Sequence, residues 1–160
     1  MNWALSLWAG LAVLGFAMVF SVPRRTLPGI VLLAIVAHLV RSLCLDLGAS
    51  LPLASFVAAI LIGLTAAVVA PRTNEASPIY SFAPVIPLVP GTYMFNALTG
   101  VLDLTSGTEP NPSAIVDAAL VNGSIATLTV IALAVGAISP TLLIGRHLAR
   151  LVAPGHLEGE

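Results

Sequence analysis

The chain has 160 residues, 58% of them hydrophobic and only 8% charged, with a formal net charge of -1, and its mean hydropathy of +1.05 lies far outside the range of soluble domains. It reads as an integral membrane protein, and six arginines with no lysine leave no basic surface for gripping nucleic acid. The lone cysteine, Cys44, excludes an intramolecular disulfide, no Cys/His cluster has metal-ligand spacing, and a P-loop cannot exist without lysine. No cofactor or metal is expected, so any driving force must come from a gradient or from another chain.

Apolar runs long enough to cross about 30 Å of hydrocarbon occur at Trp3 to Phe20, Leu27 to Leu45, Leu51 to Ala70, Ile79 to Leu102 and Ala118 to Gly145. They predict an all-α protein of about five transmembrane helices, forming a single transmembrane domain over residues 1–160. The first run lacks a positive n-region, and Arg24 and Arg25 follow it, so it is expected to be a retained helix rather than a signal peptide. Segment two carries His38 and Arg41, three apart and hence on one helix face, with His38 near mid-depth. A charge at the bilayer centre costs at least about 2.5 to 3.5 kcal/mol on insertion scales. Either the pair offers an anion one fixed charge and one titratable donor, or Arg41 snorkels to the outer interface beside Asp46 and His38 merely packs.

Segment three has Ala59, Gly63 and Ala67 at four-residue spacing, a strip that admits close approach of another helix. Segment four contains the most informative stretch, Pro84-Val-Ile-Pro-Leu-Val-Pro-Gly91. Each interior proline removes an amide donor and clashes with the preceding turn, at roughly 3 kcal/mol apiece, so the span is expected to break here. Unwound backbone at membrane depth is tolerated where protein buries it or where it lines a polar cavity, and such breaks form transporter sites. Gly91 and Thr92 can cap a new half-helix through Tyr93, Phe95 and Asn96, and free amides at such a helix start suit an anion. The alternative is a kink that shapes packing and binds nothing. In segment five, Asn122 either cross-links helices or faces a polar path. The Asn122-Gly123-Ser124 glycosylation pattern at a membrane helix is taken as chance.

The arginines set an orientation. Arg24 with Arg25, Arg72, and Arg146 with Arg150 fall in alternate connections, leaving Arg41 on the other side. This predicts the N-terminus outside, the C-terminus in the cytoplasm, and the connection with Asp103, Glu109 and Asp117 outside.

Gly15-Phe-Ala-Met-Val-Phe-Ser-Val-Pro23, His38 with Arg41, and Val85-Ile-Pro-Leu-Val-Pro-Gly91 resemble the small YjjB-type subunit of the threonine/serine exporter (ThrE) family over almost the whole chain. The resemblance implies an inner-membrane exporter of small carboxylates or hydroxy amino acids, such as succinate, threonine or serine. It also implies a larger YjjP-type membrane partner, with this chain as the small half of a hetero- or homo-oligomer. His38, Arg41, Pro87, Pro90, Gly91 and Asn122 match the family pattern. One position departs from it: related small subunits tend to carry tyrosine four residues after the Pro-Gly, where this chain has Phe95, with Tyr93 two residues earlier.

Together these readings give a substrate-binding set of His38, Arg41, Pro87, Pro90, Gly91, Thr92, Tyr93, Phe95 and Asn122, reached from the cytoplasm and cycled by rocking. Two other classes stand against it. A non-transporting scaffold would stabilise a larger transporter and bind nothing. An intramembrane enzyme would need a nucleophile beside a base or a pair of intramembrane carboxylates, and the sequence offers neither.

Overall fold

The computed structural model describes residues 3–73, 77–106 and 111–152, with side chains described over 6–70, 80–106 and 111–143. Glu109 lies outside the described residues, as do the side chains of Arg72, Arg146 and Arg150. The elements are helices α1 (Trp3–Val19), α2 (Leu27–Asp46), α3 (Leu51–Thr73) and α4 (Ser77–Val85), a 3-10 turn (Ile86–Leu88), α5 (Gly91–Ser106) and α6 (Pro112–Val152). The described residues contain no strand.

Three helices are long and apolar enough to cross a bilayer, over Leu27–Asp46, Leu51–Ala70 and Pro112–Leu143, or four if the bent pair Tyr80–Leu88 and Gly91–Ser106 is one span. The first of the five expected runs forms a 17-residue helix, about 25 Å at 1.5 Å per residue, which is short of the usual spanning length. The last runs well past its expected limits: 41 residues extend about 61 Å, roughly twice the hydrocarbon thickness.

The ends of α1 and α2 are built alike. At the end of α2, Gly48 at φ 88° lets its amide reach the Leu45 carbonyl while the Ala49 amide reaches that of Cys44, the Schellman arrangement that satisfies orphan carbonyls. At the end of α1, Ser21 takes the equivalent position at φ 54°, with Ser21 bonded to Met18 and Val22 to Ala17.

Helix α3 is central. It packs against α2, α4 and, most extensively, α6. Its small-residue strip is the reason: Ala59 is fully buried and Ala67 nearly so. A β-carbon on Gly63 would lie 2.5 Å from the Ala137 carbonyl oxygen and 3.0 Å from the Pro140 ring, and one on Gly136 would lie 2.9 Å from the Phe56 carbonyl. Glycine on both helices brings the backbones together, which replaces the hydrophobic drive that lipid does not supply. Two buried clusters flank this seam. Leu33, Ala58, Ile62, Leu88 and Leu133 form one, and Val13, Ile30, Ala66 and Tyr80 the other. Leu88 anchors the 3-10 turn in the core with no exposure. Large apolar side chains such as Trp8, Leu32, Phe82, Leu98 and Leu142 are exposed, as expected of surfaces that face lipid or other helices.

The proline-rich stretch separates α4 from α5. Pro84 lies inside α4, Pro87 is the middle residue of the 3-10 turn, and Val89 is extended at φ -61° and ψ 132°, the conformation that a following proline imposes. The two helices are bent by 56°.

Candidate functional site

The bend opens a cavity of about 320 Å³ beside α2, lined by His38, Arg41, Ser42, Leu45, Pro87, Val89, Pro90, Gly91, Thr92 and Tyr93. Seven of the nine residues singled out from the sequence are therefore brought to one place. The α2 contribution is a single helix face: 38, 41, 42 and 45 follow the i, i+3, i+4, i+7 rule. Ser42 and Leu45 were not singled out, although this spacing from His38 would have found them. Val89 enters as the extended residue between Leu88 and Pro90.

Arg41 crosses from α2 to the break, its Nη1 donating to the Leu88 carbonyl at 2.7 Å. That carbonyl is available because its regular helical partner would be the amide of Thr92, which belongs to a helix running in another direction. A cation at the last carbonyls of a helical stretch also meets its negative dipole end. Guanidinium has five N–H donors, so one bond to Leu88 leaves others for the cavity. On the far wall, the first i→i−4 bond of α5 runs from Met94 to Pro90, while Gly91 bonds back to Val89. The amides of Thr92 and Tyr93 precede any intrahelical acceptor, as the first donors of a helix must. The cavity thus combines a guanidinium, an imidazole, three hydroxyl-bearing residues and a helix start, with no carboxylate among its lining residues.

His38 is half-buried, and its Nδ1 lies 3.0 Å from Ser6 Oγ on α1. Ser6 is almost fully buried. Nothing in the sequence connected residues 32 positions apart.

Phe95 and Asn122 are not among the lining residues. Phe95 follows Tyr93 by two positions, about 200° around the helix, and is 65% exposed on the opposite side. Asn122 sits on α6 and donates to the Ala118 carbonyl of its own helix at 2.8 Å. Asp103 and Asp117 are both exposed.

The family model described as Threonine/Serine exporter, ThrE matches residues 5–143. The chain belongs to this family. It is accordingly a membrane protein of an exporter family, and the matched ThrE region includes every residue of the cavity. An uncharacterized protein of Haemophilus influenzae is similar to it, 29% identical over 98 residues that make up 61% of this chain and 33% of that protein. The match thus takes in about a third of that relative's length. No solved structure matches the chain.

Proposed function

We propose that this ThrE-family chain is one subunit of an inner-membrane exporter for small carboxylates or hydroxy amino acids of the succinate and threonine/serine class. The observation that carries the reading is the cavity at the bend, where Arg41, His38 and the start of α5 converge. A carboxylate there meets a fixed positive charge, a neutral or charged imidazole and the amide end of a helix, which are complementary to it at each contact. In this reading α4 and α5 are the two halves of one broken span, α1 is a fifth, short span, and the N-terminus is outside with the C-terminus in the cytoplasm. The cavity is built from α2 and the break alone, so the remaining walls of a transport path come from a larger YjjP-type partner or from further copies of this chain. The role is transport, with no catalytic residue.

The scaffold reading has one observation of its own in favour: Arg41 is already bonded to the Leu88 carbonyl, so it braces the break whether or not a substrate arrives.

Efflux of labelled succinate, threonine and serine from preloaded cells separates the two readings. Cells expressing this chain, a YjjP-type partner, both, or both with Arg41→Ala are compared at equal complex abundance. Export that needs both chains and falls at least about tenfold with Arg41→Ala, the scale of a lost charge-assisted bond of roughly 1.5 to 3 kcal/mol, supports the exporter site. Export by the partner alone, or export per complex unchanged by Arg41→Ala, makes this chain a scaffold.

A further inference from the structure

We propose that Ser6 is a positioning residue for the cavity: its hydroxyl donates to His38 Nδ1 and so holds the ring as the tautomer that carries its proton on Nε2. The inference rests on the reading of the cavity as an anion site. It concerns a residue on a different helix that does not line the cavity itself.

The argument runs from hydrogen-bond satisfaction. Ser6 is 2% exposed, and its Oγ has His38 Nδ1, at 3.0 Å, as its partner. A serine hydroxyl has one proton to donate, and neutral imidazole offers one N–H and one bare nitrogen. If Nδ1 carried the proton, it would donate to Oγ, and the buried Ser6 hydroxyl would be left with no acceptor among the described residues. An unmet buried donor is disfavoured. If Ser6 donates, its proton is used, Nδ1 is the acceptor, and the ring proton must sit on Nε2. That nitrogen has no partner among the described residues, and the ring to which it belongs lines the cavity. The arrangement turns His38 into a neutral N–H donor for an oxygen ligand beside the guanidinium of Arg41. It follows the general rule that the bond made by one ring nitrogen decides what the other can do. Helix α1 thereby acquires a task in the site, although it contributes no lining residue.

The test is nitrogen NMR of the full-length chain in nanodiscs with labelled histidine, at a pH well above the ordinary imidazole range of about 6.5. A His38→Ala sample assigns the signal among the three histidines. The expected wild-type spectrum shows His38 with an unprotonated, hydrogen-bonded Nδ1 and a protonated Nε2. Ser6→Ala should move the Nδ1 signal to its unbonded position and populate the other tautomer, while Ser6→Thr, which keeps the hydroxyl, should restore the wild-type spectrum. An Nδ1–H tautomer in the wild type, or a His38 spectrum unchanged by Ser6→Ala, overturns the proposal. In the efflux assay Ser6→Ala should raise the half-saturation concentration roughly two- to tenfold, the scale of one hydrogen bond, with little change in maximal rate and none when His38→Ala is already present. A drop in abundance alone, with both the spectrum and the half-saturation concentration unchanged, makes Ser6 merely structural. The spectrum is read without any transported substrate, so failure of the exporter reading and failure of this one are distinguishable.

Discussion

At the scale of single residues, the buried side-chain polar atoms of the described residues have hydrogen-bond partners with one exception. Ser55 is fully buried, and its Oγ has no hydrogen-bond partner. A buried hydroxyl in that state costs about 1 to 3 kcal/mol, so Ser55→Ala is expected to leave stability unchanged or raise it, read as the melting temperature of the purified protein. Ser21→Gly should also stabilise, by up to about 1 kcal/mol, because Ser21 holds a left-handed conformation that glycine adopts without a steric cost. Gly48→Ala at the matching position of α2 should destabilise by about 1 to 2 kcal/mol. At this scale the sequence was informative about one face at a time. His38 and Arg41 share a helix face by spacing alone, and Gly91 with Thr92 follow the prolines that start a new helix. The bonds from His38 to Ser6 and from Arg41 to Leu88 join positions 32 and 47 apart, and no local pattern encodes which helix lies beside which.

At the scale of elements, two features set the arrangement: the glycine seam of α3 with α6, and the proline break. Gly136→Ala places a methyl against backbone atoms of Phe56 and Ile60, which cannot yield like a flexible side chain. The variant should melt lower, and Gly136→Leu should fail to accumulate. Gly15 on α1 has open space around its Cα, and there alanine should be tolerated or should stabilise by about 0.5 to 1 kcal/mol. The same seam explains why the Ala59, Gly63 and Ala67 strip is spent inside the chain. At the break, Pro87→Ala combined with Pro90→Ala restores two amide donors and releases Val89 from the pre-proline restriction. If the cavity is the transport site, this pair should lower export at unchanged abundance as α4 and α5 straighten. Proline acts locally, and the prolines lie where α4 gives way to the 3-10 turn and α5. Helix length was not legible: α6 continues through Pro112 to Val152 although its polar first turns lack the apolar run that marked segment five, because packing against α5 supplies what hydropathy does not.

At the scale of the whole molecule, the all-helical class followed from composition, while the number of spans depends on how a short α1 and a bent α4 and α5 meet the bilayer. The proposed orientation has a direct readout. With Cys44 replaced by serine, a cysteine introduced at the exposed Ser113 should react with a membrane-impermeant maleimide in intact cells, whereas one at the buried Leu133 should not. Labelling at position 113 only after lysis would reverse the orientation. The two sides of the bend are also unequally held. The turn before it is pinned by the buried Leu88 and by Arg41, whereas α5 buries none of its residues and leans on α6. With 16 residues, α5 is a lever about 24 Å long hinged at Val89 and Pro90. A swing of about ten degrees would carry its far end about 4 Å while the cavity wall beside Gly91 barely moves, so a small change at the hinge would be amplified at the Ser106 end of α5.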